Sequence, residues 1–170
     1  SYITGINNRI IKSSGPGGYG KNPTMTVIGY QYEKSYLYTG ALQAVFQTNI
    51  SLTGLDQQMA IPSFSFLNGF RSVKYGFEIG FGPVFRLKQV QKGYLNNSGD
   101  WLSESDNPDY DGVFSNRLDS RGSFKFQPGW VWAIGRSLKA GNMTIPINFY
   151  ALPDNDGWLY GFSFGYALRK

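Results

Sequence analysis

With no histidine and no cysteine in its 170 residues, the chain lacks the base of a Ser-His-Asp triad and every imidazole or thiolate metal ligand. The chemistry left to it is that of carboxylates. Glu78 lies in YGFEIGFGPVFRLK, where it shares the even-numbered positions with Arg86 and Lys88; Lys125 takes the polar face of a later segment. A lone carboxylate among cations has no second acid with which to divide general acid and base roles. Read structurally, Glu78, Arg86, Lys88 and Lys125 form a charge network in an interior, since a charge taken out of water needs a partner. Asp106, Asp109 and Asp111, in DNPDYDG, carry oxygens of the kind calcium accepts. Their spacing departs from an EF-hand loop, and solvated loop acids are the plainer reading. No catalytic residue and no cofactor is therefore expected.

The segments that must hold these residues alternate with period two, the signature of strands with two different faces. In Tyr36–Leu52, YLYTGALQAVFQTNISL, the even positions are mostly apolar and the odd ones turn polar. At about 3.3 Å per residue the run outlasts a usual soluble strand and crosses a bilayer obliquely. No stretch approaches the roughly 20 apolar residues of a membrane helix, and mean hydropathy is −0.30. A transmembrane barrel accommodates both facts, because only alternate residues meet lipid. Aromatic residues make up 17% of the chain against 16% charged, a balance that favours a large apolar wall over a solvated surface.

Eight strands follow from the alternation: Ser1–Ile11, Thr24–Tyr32, Tyr36–Leu52, Met59–Phe70, Tyr75–Leu87, Arg121–Gly135, Met143–Pro153 and Trp158–Arg169. The expected fold is all-β, an eight-stranded antiparallel up-and-down transmembrane β-barrel forming a single domain over residues 1–170. The aromatics that would face lipid or a partner are Tyr36, Tyr38, Phe46, Phe77, Phe81, Phe85, Phe124, Phe126, Trp130, Trp132, Trp158, Tyr160, Phe162, Phe164 and Tyr166. Val90 to Ser120 reads as a long external loop. The turns at Glu33–Ser35, Arg71–Lys74 and Arg136–Gly141 are short and fall on the opposite rim, with both termini beside them. Nine of the eleven acids gather on the long-loop rim, whereas bases such as Lys34, Arg71, Lys74 and Arg136 lie on the other. Pro62, Pro83, Pro128 and Pro146 fall inside strands, where each removes a ladder donor.

These features carry a resemblance. The aromatic strands, the GFEIGFGP hairpin, the SNRLDSRG lead-in and the terminal GFSFGYAL strand resemble the small outer-membrane β-barrels of Bacteroidota, in the general shape of the OmpA/OmpX class. The chain departs from the common terminal aromatic by closing Ala-Leu-Arg-Lys. The resemblance implies a mature chain in the bacterial outer membrane after signal-peptide removal, and contact with outer-membrane lipids. It also implies a larger outer-membrane or periplasmic partner, such as the type IX secretion and gliding machinery, for which some such barrels are accessory subunits. A monomeric adhesion or ligand-binding barrel using residues 90–120 is the alternative within the fold. A soluble lipocalin-like barrel, with its aromatics turned inward onto an apolar ligand, is the alternative outside it. The net charge of +5 has no basic aromatic groove behind it, which argues against nucleic acid. Eight strands enclose a space that side chains fill, which argues against a diffusion pore.

Overall fold

The computed structural model describes residues 1–96, 101–106, 111–140, 143–154, 157–165 and 167–168. Alternation carries most of these residues into one antiparallel sheet: β1 (Tyr2–Ile3), β2 (Val27–Tyr38), β3 (Leu42–Thr53), β4 (Ile61–Ser72), β5 (Phe77–Leu95), β6 (Trp101–Ser103), β7 (Ser115–Leu118), β8 (Ser123–Ala140), β9 (Met143–Asp154), β10 (Gly157–Phe164) and β11 (Ala167–Leu168). The order across the sheet is β1-β10-β9-β8-β5-β4-β3-β2; β6 and β7 pair with the far end of β5, and β11 pairs with β9. The topology is up-and-down, as expected, but two expectations fail. The long strands β2, β3, β4, β5, β8, β9 and β10 are one fewer than the eight predicted, and the sheet is not closed into a barrel along its length.

The missing eighth strand is the first. In place of Ser1–Ile11 stand the two-residue β1 and the helix α1 (Gly5–Lys12). Asn7, Ile10 and Ile11 are buried on it, and Ile6 packs against the same cluster. Ile6–Ile10 and Asn7–Ile11 are spaced by four, which brings each pair to one face of a helix. Thr4, at the helix start, accepts a hydrogen bond from the Trp158 backbone N–H at 2.8 Å and donates one to the Trp158 carbonyl at 3.0 Å. These bonds tie the helix to the start of β10.

The predicted long strand Tyr36–Leu52 is two strands. A turn at Thr39–Ala41, with Gly40 at φ 74°, separates β2 from β3, and Glu33–Ser35 continues β2 instead of turning. Val90–Ser120 is likewise more regular than a loop: β5 runs on to Leu95, and β7 pairs with it from Gly93↔Ser115 to Val90↔Leu118. The prolines fit the ladders at their weak points. Ser65↔Val84 and Asn68↔Phe81 are paired, but the two positions between them, one of which is Pro83, are not.

Core and rim follow from these paths. Ile3, Ile10, Ile11, Met25, Met59, Val90 and Leu118 form one apolar cluster at the rim where β3 passes to β4 and β10 begins; we call it the loop rim. Leu67, Val84, Val131 and Leu152 form a second, deeper cluster on the concave face. The opposite rim, with the turns at Thr39–Ala41 and Val73–Gly76, is the turn rim. β11 pairs with Met143 and Thr144 there. The first and last described segments thus sit on opposite rims, a correction to the expectation that both would lie beside the short turns.

Candidate functional site

The side chains of the long strands divide by parity, and the division is inverted relative to a soluble protein. Tyr30 is 72% exposed, Trp132 54% and Phe162 64%, whereas Glu78 and Arg86, on the other face of the same sheet, are 6% and 5% exposed. Of the predicted outward aromatics, Tyr36, Tyr38, Phe77, Phe81, Phe124, Phe126, Trp130, Trp132, Trp158, Tyr160, Phe162 and Phe164 are exposed, and Phe46 and Phe85 are half-buried among neighbouring rings. Tyr166 lies outside the described residues. The rings stack along the outer face: Phe81 on Trp132 at 5.6 Å, Phe85 on Phe126 at 5.4 Å, Trp158 on Tyr160 at 5.9 Å. An apolar-ligand barrel of the lipocalin kind needs these rings on the inside, and here they point out.

The concave face is built from polar ladders that cross the strands. Ser51 and Ser63 are 2.7 Å apart, Asn49 donates to Ser65 at 3.3 Å, and Gln47 donates to Glu33 at 3.1 Å. Toward the turn rim, Arg71 bridges two acids, reaching Glu33 Oε1 and Glu78 Oε2 at 2.5 Å each. Asn148, its amide oriented to donate, reaches Glu78 Oε1 at 2.9 Å. Toward the loop rim, Lys88 donates to Asp154, and Arg86 lies 3.4 Å from the same carboxylate. Glycines make this interior possible. A Cβ on Gly161 would meet the Tyr150 ring at 2.0 Å, and one on Gly135 would meet the Asn148 amide at 1.9 Å.

The structure pairs the charges of the predicted network with other partners. Glu78 pairs with Arg71, at the start of the predicted turn Arg71–Lys74, and not with Arg86, Lys88 or Lys125. Arg86 and Lys88 take Asp154, one residue beyond the predicted strand end at Pro153. Lys125 is exposed and donates to Asn116 at 3.2 Å. Glu33, Arg71, Asn148 and Asp154 were missed, and extended parity was the signal that would have found them. Asp154 continues the series Asn148, Tyr150, Leu152 on β9, and Glu33 continues Gln31 on β2. The Arg71–Glu33–Glu78 group carries one net negative charge, and the Arg86–Lys88–Asp154 group one net positive charge. A cavity of about 30 Å³ next to the second group, lined by Arg86, Lys88, Asp154 and Asn7 among others, has room for a water molecule and little more.

At the loop rim the acids serve the fold. Asp119, fully buried, accepts from the Trp101 indole at 2.9 Å, the Arg121 backbone N–H at 2.8 Å and the Arg121 guanidinium at 3.1 Å. Burial pushes the Asp119 carboxyl up, but these bonds, led by the Arg121 side chain, outweigh it and hold the group below the usual range. Asp106 is held low by Arg121 and by the Ser103 N–H. The Arg121 guanidinium is correspondingly raised, first by Asp119 and then by Asp106. Burial, with Asp119 nearby, pushes the Tyr19 phenol up to about 12. Of the calcium candidates, Asp106 is thus engaged by Arg121, Asp111 is exposed, and Asp109 lies outside the described residues. Among the described residues no cluster of three or more acids forms a metal site.

The edges of the sheet are the remaining feature. Among the described residues β2 pairs along its length with β3 alone, and β10 with β9 and, at Tyr160 and Leu159, with β1. β1 also touches the segment leading into β2. Tyr2 forms an isolated antiparallel bridge with Thr24, the Ile3 N–H donates to the Pro23 carbonyl at 3.1 Å, and the Met25 N–H donates to the Ser1 carbonyl at 2.8 Å. The two ends of the sheet therefore meet at the loop rim through β1, and below it a seam lies between β2 and β10. Six antiparallel steps separate these strands in the sheet order, so they run in the same direction.

Comparison with known protein families, with curated proteins and with solved structures found no match to the chain at any of the three levels.

Proposed function

We propose that the protein is a non-enzymatic β-barrel subunit of the bacterial outer membrane, serving as a structural or accessory component of a larger outer-membrane assembly. The observation that carries this reading is the inverted sheet, with aromatic side chains outward along every long strand and ion pairs with hydrogen-bonded ladders on the concave face. In water such a surface exposes far more contiguous apolar area than a monomer tolerates. In a bilayer it is the expected outer wall, with Tyr and Trp placing polar tips at the headgroups. The concave face supports a role without transport, because Leu67, Val84, Val131, Tyr150 and the ion pairs occupy its volume and α1 packs across the loop rim. No helix among the described residues is long and apolar enough to cross a membrane, so strands do the crossing in this reading. The type IX secretion and gliding machinery of Bacteroidota is the assembly named by the sequence resemblance.

Fractionation tests it directly. Native membranes should release the protein only with detergent, and mild extraction followed by size-exclusion chromatography and mass spectrometry should find it with a stoichiometric partner. Recovery in the soluble fraction without detergent would overturn the membrane assignment. A lone 19.0 kDa species would move the weight to the β5–β8 hairpin and an adhesive role.

A further inference from the structure

We propose that the seam between β2 and β10 is a docking site for one extended β-strand donated by a partner polypeptide, running antiparallel to both edges. The inference rests on the membrane reading above. Lipid offers no hydrogen bonds, so a spanning sheet cannot leave two rows of backbone N–H and C=O groups unpaired. Because β2 and β10 are parallel to each other, they do not close on one another in the antiparallel manner of the rest of the sheet. A single strand laid between them restores antiparallel pairing on both sides. It also brings the crossing strands from seven to eight, the smallest even number found in such barrels.

β1 already shows the geometry. It lies between β10 and the segment before β2, antiparallel to each, with Tyr2 opposite both Tyr160 and Thr24. The donated strand continues that line toward the turn rim. Exposure marks its path: Gln31 and Ser35 on the concave side of β2 and Ser163 on that of β10 are exposed, whereas Glu78, Val84, Arg86 and Lys88 on β5 are buried. The chain's described segments are engaged elsewhere. β11 runs along β9, and the stretch after α1 is fastened back onto the helix by Tyr19 and Lys21 N–H bonds to the Ile10 and Ile11 carbonyls. A second copy does not fit either. Joining two β2 edges antiparallel takes a two-fold axis in the membrane plane, which inverts one copy, and a head-to-tail β2–β10 contact between like-oriented copies pairs the two edges parallel, unlike the rest of the sheet.

The seam also sets the chemistry of the strand. Crossing takes about 9–11 tilted residues. Alternate positions should be apolar or aromatic, to continue the wall from Tyr30 and Tyr32 to Phe162 and Phe164. Inward positions should be small or polar, with a Lys or Arg at the level of Glu33, whose side chain is 26% exposed and whose cluster carries the net negative charge. This is β-strand addition, in which main-chain pairing supplies affinity and alternate side chains supply specificity.

The test uses the absence of native cysteine. Counting from the level shared by Thr24 and Tyr160, Ile28 and Phe164 face each other across the seam. In native outer membranes the double variant Ile28→Cys/Phe164→Cys should form about one-tenth or less of the disulfide given by Tyr30→Cys/Ile50→Cys, a directly opposed pair on β2 and β3, because two strand spacings exceed the roughly 7 Å Cα limit of a disulfide. A bismaleimide of about 10 Å reach should bridge it after partner removal. A photo-crosslinking residue at Ile28, and separately at Phe164, should join both edges to the same short stretch of one partner chain. Efficient Ile28→Cys/Phe164→Cys disulfide formation in the membrane overturns the proposal. So do crosslinks to a second copy, to the same polypeptide or to lipid alone. Extraction without detergent overturns the membrane reading instead, so the two failures are separable.

Discussion

The middle of the sheet and its two edges are built from the same alternation and differ in what their inward residues meet. On β5, flanked by β4 and β8, the inward Glu78, Val84, Arg86, Lys88 and Val90 are all buried. On β2, flanked by β3 alone, the inward Gln31 and Ser35 are exposed. Composition follows this gradient. The middle tolerates charge because each charge has an opposite within reach, and it tolerates large side chains because glycines opposite them give way. The edge strand carries mid-sized polar residues that stay exposed, and its one inward acid, Glu33, is held from the neighbouring strands by Arg71 and Gln47. Burial here is a property of how many neighbours a strand has, and a face read from sequence acquires its meaning only when its flanks are known.

Substitutions in the middle should therefore cost far more than the same changes at the edge. The largest effect is expected for Arg71→Ala, which leaves Glu33 and Glu78 without their shared cation. A loss of about 3–5 kcal/mol should appear as a lower urea midpoint in detergent micelles, while Gln31→Ala should stay within about 0.5 kcal/mol. Ile11→Ala, opening the fully buried cluster under α1, should cost about 3 kcal/mol and free α1 to exchange its amide protons. Ile134→Arg, in the middle of the outer face of β8, should cost about 2–4 kcal/mol in lipid bilayers. The same variant would be close to neutral if water bathed that face, so this substitution sharpens the comparison between the inner and outer walls.

The smallest effect is at the loop rim. Asp119 and Asp106 have folded pKa values below their ordinary value of about 3.9. Their contribution to stability is thus complete above that value and is lost as pH falls through the depressed folded pKa. Trp101 fluorescence should be flat from neutral pH down to about 5 and should change below about 4, and Asp119→Asn should remove that step.

Much of the sheet was legible because period two survives errors in strand ends. β4, β5, β8, β9 and β10 overlie the segments predicted, but β5 runs on past Leu87 to Leu95, β8 past Gly135 to Ala140, and β10 stops at Phe164. The failures share a cause. Gly40 keeps the even parity of Tyr36–Leu52 intact while supplying the positive φ of a turn, so the run reads as one strand through its own corner. Glu33, Lys34 and Ser35 look like a turn by charge, yet Glu33 is the inward acceptor of Gln47 and Arg71. In GINNRIIK the adjacent pair Ile10–Ile11 breaks alternation and marks a helix face, which a strand over Ser1–Ile11 does not accommodate. The site was legible as a charged interior but not in its pairing. Partners across strands depend on register, and register here hangs on where β2 turns and where β4 and β9 end.

The odd number of long strands among the described residues has a consequence for addressing the molecule. In the proposed membrane setting, α1 and β11 open onto different compartments, so each marks a side. A protease site or dye placed beside Lys12 and another placed beside Leu168 should never be reached together from one side of a sealed vesicle. Two such labels make this chain a gauge of vesicle orientation, and of the direction in which the strands were threaded.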